Sequence, residues 1–288
     1  MRRHGGKLVL VVVALLTLWA FVIEPNQLVL REVPIVLPGW PESLDGMRVA
    51  LISDLHVGAP FVGERKLAEV VATTNDAAPD IILLLGDYVV GREPGATFVV
   101  PERIAPALGG LRARLGVYAV LGNHDWRYDG ERVTRAFTRA GLRVLENEVL
   151  ELHERGQSIW IAGLADSMTR PQDPVGTIGK VGAGPVIAFT HEPDAFPRIP
   201  DRATLTVAGH THGGQVALPL LGRLVVPSRY GQRYAIGHIV ENGRHLYVTP
   251  GVGTSILPVR FAVPPEITIL VLHAPSFVRA IEALPAHP

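Results

Sequence analysis

The chain is predicted to be an α/β protein in which two mixed sheets pack together with helices outside them. Three observations predict it. Short, mostly apolar runs at Met47 to Ser53, Asp80 to Leu85 and Val117 to Leu121 read as buried strands, each followed by a helical stretch. After Ala140 the rhythm changes to closely spaced strand-like runs, which two sheets accommodate better than one wound sheet. Polar blocks recur at the ends of these runs, where α/β folds carry their sites.

The first segment reads as a membrane signal. Arg2, Arg3 and Lys7 precede the 16-residue apolar run Leu8 to Ile23, and Glu24-Pro25-Asn26 closes it. That run is short against the roughly 20 residues a spanning helix needs, with Trp19 and Phe21 suited to an interface. Leu18-Trp19-Ala20 is a poor small-x-small cleavage site because Leu18 is bulky, which favours an uncleaved signal anchor in 1–23 over a signal peptide. The basic end stays in the cytoplasm on this reading, and the remainder lies on the other side.

Residues 24–45 hold four prolines and form a connector, with Val33 to Leu37 as an edge strand or extended lead-in. The predicted main domain is 46–275. Glu64 to Ala77 has Leu67, Val70 and Val71 at helical spacing, Pro101 to Leu115 is helical in part, and Gly130 to Ala140 supplies a further helix. Glu148 to Leu152 and Ser158 to Ala162 form neighbouring strands. Met168 to Gly184, rich in Gly and Pro, is a surface loop near the pocket. Val186 to Phe189, Thr204 to Ala208, Tyr234 to Val240, His245 to Thr249 and Ile267 to Leu272 complete the strands, with Asn242-Gly243 as a hairpin turn. Residues 276–288 are a tail.

Composition excludes several classes. Lys+Arg and Asp+Glu are each 27, so net charge is zero, and no long basic tract follows the N-terminus to grip nucleic acid. Absence of cysteine excludes disulfides and thiolate metal sites. Neither a phosphate loop of the Gly-x-x-x-x-Gly-Lys kind nor a Gly-x-Ser-x-Gly elbow is present. No obligate protein partner is evident.

The strand-end blocks carry the chemistry: Asp54-x-His56, Gly86-Asp87, Gly122-Asn123-His124-Asp125, Thr190-His191-Glu192 and Gly209-His210-Thr211-His212-Gly213. Five of the eleven histidines fall in them, a concentration that turn-capping does not explain. One carboxylate bridging two ions is the economical design for a two-metal hydrolytic centre, and Asp87 is the candidate. Asp54 and His56 serve a first ion, Asn123 and His191 a second, and His210 with His212 divide between them. Oxygen and imidazole donors without thiolate suit Mn, Zn or Fe. Two such ions neutralise a phosphoryl group and make hydroxide available from a bridging water near neutral pH. His124 then faces the leaving oxygen as general acid, or stabilises phosphoryl charge, with Asp125 orienting it.

The order of these blocks resembles the calcineurin-like metallophosphoesterase superfamily, from Asp54 to His212, with closing strands to about Leu272. The resemblance implies a four-layer α/β/β/α sandwich with a dimetal site at one edge. It places Asp54, His56, Asp87 and His212 on one ion, and Asp87, Asn123, His191 and His210 on the other. It gives His124 the catalytic histidine's place, and Asn123 and His124 contact with substrate. The N-terminal segment, the lead-in to Ser53-Asp54-Leu55-His56 and the stretch Gly251 to Ile267 look like bacterial YkuE/YaeI-like phosphohydrolases. That implies a metal-dependent phosphoesterase at the bacterial cytoplasmic membrane, acting on a small or lipid-linked ester from the extracytoplasmic side, or exported after signal cleavage. Arg260 is a substrate-phosphate contact if its loop returns to the site. A nuclease and a non-catalytic, metal-stabilised membrane module are the alternatives.

Overall fold

A computed structural model describes residues 2–91 and 94–277. The expected C-terminal tail, 276–288, lies from residue 278 on outside the described residues.

Helix α1 (Arg2–Leu18) continues through a π-helical turn, Trp19–Ile23, and a 3₁₀ turn, Glu24–Asn26. The apolar helical stretch therefore runs Gly6–Asn26, 21 residues, long enough by length and composition to cross a membrane. It is longer than the sequence run because helical geometry takes in Gly6 and Lys7 before the apolar residues and carries on past them into Glu24-Pro25-Asn26. Leu8 to Leu18 are exposed, whereas Ala20, Glu24 and Pro25 are buried against the rest of the chain.

The next elements build the first sheet: β1 (Val29–Val36), β2 (Met47–Ile52), α2 (Glu64–Asp76), β3 (Ile81–Leu84), α3 (Pro101–Leu108), β4 (Val117–Ala119), α4 (Asn123–Arg139) and β5 (Arg143–Val144). The last strand among the described residues, β14 (Glu266–His273), inserts between β1 and β2, giving the order β1-β14-β2-β3-β4-β5. Strands β2 to β5 are parallel, as their crossover helices require, and β14 runs antiparallel to β2. Residues 29–36 thus do more than connect, since β1 pairs with β14 along eight residues. Pro34 is tolerated there because β1 is an edge strand.

The second sheet comes from β6 (Glu148–Glu154), β7 (Gln157–Gly163), α5 (Pro174–Ile178), β8 (Val186–Phe189), β9 (Leu205–Ala208), β12 (Gly237–Glu241) and β13 (Arg244–Val248), ordered β12-β13-β9-β8-β7-β6. Between β9 and β12 lies a small hairpin, β10 (Ala217–Leu218) with β11 (Gly222–Arg223), which the sequence pattern did not signal. Both large sheets are mixed, as expected.

Alternation along the strands makes the layers. In β2, Val49 and Leu51 face Ile161, Ile187, Phe189, Leu205 and Val207 of the second sheet. Ala50 and Ile52 face the opposite way, onto Leu67 and Val70 of α2, Ile104 and Leu108 of α3, and Val133 and Phe137 of α4. Burial of each such large aliphatic or aromatic side chain contributes about 1.5–3 kcal/mol. The outer cover of the second sheet is thinner: Ile178 of α5 with Ala195 in the 3₁₀ turn Pro193–Arg198 and Ile199 just after it. Two mixed sheets flanked by helices leave the carboxyl ends of β2, β3, β4, β8 and β9 to deliver the polar blocks to one edge.

Candidate metal centre

Each block begins where its strand stops. Asp54, His56, Asp87, His210 and His212 all adopt left-handed backbone, with φ of 53°, 42°, 57°, 69° and 50°. Such conformations cost non-glycine residues of order 1–3 kcal/mol each and persist where the surroundings over-determine them. The loops supply that restraint by hydrogen bonding side by side: Asp54 N–H donates to Gly86 O, and His56 N–H to Asp87 O. At Gly86, with φ of 96°, a Cβ would lie 2.9 Å from His191 Nδ1, and at Gly122 it would lie 2.2 Å from Asp87 Oδ1. Those two glycines let the β3 and β4 loops close on each other.

The seven predicted ligands converge. Asp54, His56 and His212 form one cluster, and Asp87, His191 and His210 another, with donor atoms in each within 4.8 Å of one another. Asp87 joins them: its Oδ2 lies 3.6 Å from His56 Nε2 and 3.2 Å from His191 Nε2. Its Oδ1 accepts the His124 N–H at 2.8 Å, which fixes the carboxylate plane. His212 Nε2 is 3.5 Å from Asp54 Oδ1.

The donor set fits cations. Asp54 Oδ1, both His56 nitrogens and His212 Nδ1 are buried without hydrogen-bond partners, a costly state unless something positive collects them. On the other side, His191 Nδ1 faces Leu85 O at 2.8 Å, so the proton belongs on Nδ1 and the Nε2 lone pair turns inward. His191 Nε2 meets His210 Nδ1 at 3.1 Å. The Asn123 oxygen is turned toward acceptors only, and swapping the amide would instead put its nitrogen 3.2 Å from His210 Nδ1. A cation between these facing acceptors resolves the conflict, with Asn123 contributing its oxygen.

Electrostatics agree. Burial lowers His56 to about 3 and His210 to about 4, and holds His212 well below the usual imidazole range, so these rings are neutral with lone pairs to give. Burial would raise Asp87 and lower His191, yet each reverses the shift of the other, Asp87 falling well below the ordinary carboxylate range and His191 rising well above the usual imidazole range, a charge pairing that a cation between them would replace. Burial and the nearby Asp87 push Asp54 up to about 6. Two buried carboxylates at one spot constitute the negative charge that divalent ions neutralise.

His124, on the first turn of α4, is brought to the same place. Its ring stands edge-on to His56, centroids 4.7 Å apart, and it lines a cavity of about 770 Å³ with Asp87, Asn123, His210 and His212. Asp125 has a different task from orienting His124. It is fully buried, and its two oxygens accept the N–H groups of Asp87, Tyr88, Val89 and Gly122. Burial and Asp87 push this carboxyl up to about 7 against those donors. The residue ties the Asp87 loop to the start of α4, which begins at Asn123 rather than at Gly130 because Asp125 completes a capping arrangement around Gly122.

Arg260 is not brought to the cavity. Its side chain is wholly buried, and the guanidinium donates to the carbonyls of Pro250, Gly251, Gly253, Val263 and Pro264. Burial lowers it to about 10, so it remains charged near neutrality, facing Asp54, Glu24 and Glu266. It is a scaffold for the 250–264 segment, whose Gly253 N–H donates to Asp54 O. Arg260→Ala is expected to lower unfolding free energy by about 3–5 kcal/mol, measured by denaturant titration, because several buried carbonyls lose their donor together.

Arg127 lines the cavity one helical turn beyond Asn123. Its signal was the i, i+4 spacing from Asn123, legible only once α4 is known to start there. Met168, at the start of the loop expected near the pocket, does line it, as does Ser167 just before that loop, although the segment also contains α5.

Residues 47–221 match the calcineurin-like phosphoesterase family. The chain is 34% identical over 259 residues to the uncharacterized metallophosphoesterase YkuE of Bacillus subtilis, covering 88% of each. It is 33% identical over 287 residues to a transmembrane protein with metallophosphoesterase domain of Danio rerio, covering 92% of this chain and 62% of the relative. Phosphodiesterase YaeI of Escherichia coli is 29% identical over 230 residues, covering 78% of this chain and 82% of the relative. With two His/Asp clusters joined through Asp87 at the strand ends of a two-sheet sandwich, the chain belongs to the calcineurin-like phosphoesterase family and is a metal-dependent phosphoesterase.

Proposed function

We propose that the centre hydrolyses phosphate mono- or diesters whose other portion is lipid-linked or otherwise part of the cell envelope, with the domain on the extracytoplasmic side of the membrane. One observation carries this reading: the ligand cluster opens into a cavity whose walls are aliphatic, formed by Val216, Leu224, Val225, Ile256, Leu257 and Val259. A polar floor with apolar walls suits an amphiphilic ester. The Danio rerio relative's name includes a transmembrane protein, which supports anchoring, and the E. coli relative's name is a phosphodiesterase, which supports diesters. Arg2, Arg3 and Lys7 at the start of the span support a cytoplasmic N-terminus.

Asp54, His56, Asp87 and His212 would hold one ion, and Asp87, Asn123, His191 and His210 the other; Mn, Zn or Fe fits these donors. When bound, two such ions would supply neutralisation of phosphoryl charge and a lowered pKa for a nearby water. The chain's own residues do the rest. Asn123 and Arg127 orient the phosphate at the cavity floor. His124 holds a proton for the leaving-group oxygen. Asp125 keeps Asp87 and His124 in register by pinning both loops.

The test is hydrolysis of bis-p-nitrophenyl phosphate and p-nitrophenyl phosphate by the full chain in detergent, after chelation and separate reconstitution with Mn, Zn and Fe. Turnover is expected to vanish on chelation and return with at least one metal. Bound metal without turnover on either ester would defeat the reading in favour of a non-catalytic metal module.

A further inference from the structure

We propose that the β10–β11 hairpin tip and the loop 255–259 form a bilayer-docking surface that seats the cavity mouth against the lipid face in which α1 ends. This inference rests on the phosphoesterase reading only for its purpose, since the surface itself stands on separate observations.

The hairpin tip is Pro219-Leu220-Leu221-Gly222. Leu220 is fully exposed and Leu221 is 63% exposed. In the neighbouring loop Ile256 is 68% exposed and Leu257 half-exposed. Both tips hold an aliphatic residue in left-handed backbone, Leu220 with φ of 68° and Ile256 with φ of 67°. Turns of that geometry ordinarily place Gly, Asn or Asp there, and a β-branched residue is an outlier. Water rewards neither choice, whereas hydrocarbon rewards both. Leu224 and Val225, also exposed, extend the patch to the cavity wall. Exposed aliphatic residues on the rim of a pocket and on the hairpin beside it mark a docking face.

The occupant is fixed by what the rim is attached to. Gln215 ties the base of the hairpin to that loop: its side chain donates to Leu257 O and Val259 O and accepts the Ser255 N–H, while Ala217 N–H donates to Phe261 O. The same loop is bolted to the base of the apolar helix. Arg260 N–H donates to Ala20 O, and Val263 N–H donates to Glu24 Oε1 at 2.7 Å. Glu24 in turn accepts from Trp19 Nε1 at 2.6 Å, an indole suited to the membrane interface. Ala20 and Glu24 belong to the stretch long enough to span, so the apolar rim sits where that stretch meets the domain. A lipid surface is the partner that this continuity supplies. An amphiphilic ester would then pass from the bilayer along the aliphatic wall to the metal floor, without crossing water.

The chain has no cysteine, so single-cysteine labelling is clean. Leu221→Cys, Ile256→Cys and, on the exposed face of α4, Glu131→Cys are labelled with an environment-sensitive fluorophore in the full chain. The proteins are reconstituted into phosphatidylcholine–phosphatidylglycerol vesicles with and without nitroxide-bearing lipid. Expected are blue-shifted emission and severalfold quenching at 221 and 256, with water-like, unquenched emission at 131. Water-like emission at 221 and 256 overturns the proposal, and so does a blue shift there without nitroxide quenching, which would assign the patch to a second copy of the chain. Turnover of bis-p-nitrophenyl phosphate is read in parallel on the proteins labelled at 221 and 131, which lie outside the cavity lining, because its absence with intact quenching would reject the phosphoesterase reading and leave the surface standing. Leu220→Ser with Leu221→Ser, outside the cavity lining, is expected to lose the quenching of a probe at 256, and without any probe to retain that soluble turnover; unchanged quenching there also overturns the proposal.

Discussion

Asp87→Ala is expected to remove both metal ions and to lower turnover by about 10⁴-fold or more, equivalent to about 5.5 kcal/mol of transition-state stabilisation. The size of the effect follows from position. Asp87 Oδ2 faces His56 on one side and His191 on the other, so among the described residues it is the donor that joins the two clusters. Its Oδ1 also receives the His124 N–H, and loss of the carboxylate therefore loosens the first turn of α4. Asn123→Ala provides the contrast. That residue sits only on the His191–His210 side, so one ion should survive, and metal content by mass spectrometry separates the two variants. Equal metal loss in both would mean that Asp87 does not bridge. Two ions retained in Asp87→Ala would remove it from the centre altogether.

Much of this centre was legible because each block is local: a strand, then a donor where the strand ends. Asp54-x-His56 and Gly86-Asp87 need only period-two burial and a turn to be placed, and β2 and β3 stop where the apolar runs suggested. What stayed hidden depends on partners distant in sequence. Asp125 looked like an orienting neighbour of His124, but backbone donors of the β3 loop, 36 to 38 positions earlier, take its oxygens. Arg260 looked like a phosphate contact because an arginine near a site is usually solvated, and nothing in its own segment announces a cradle of five carbonyls. The apolar run Leu8 to Ile23 is short in the sequence because hydropathy stops at Glu24, whereas the helical backbone does not. Glu24 is buried there because the 250–264 segment, which no periodicity could bring to it, supplies the Val263 N–H.

His124→Ala is expected to retain metal and to lose about 10²–10⁴-fold in turnover, with the loss graded by leaving group. A p-nitrophenolate departs without a proton, so bis-p-nitrophenyl phosphate should fall at the lower end of that range. A dialkyl phosphate, whose alkoxide must be protonated as it leaves, should fall at the upper end. The gradient is diagnostic because His124 occupies an ambiguous place: its donor atom lies within 4.8 Å of those of His56 and Asp87, close enough to be a ligand, yet it lines the cavity on the substrate side. A ligand lost would lower metal content and depress all esters alike. A proton donor lost would leave the ions in place and steepen the dependence of rate on leaving-group basicity. If metal falls with His124→Ala and the leaving-group slope does not change, the residue belongs to the metal cage, and the proton must come from elsewhere at the cavity floor.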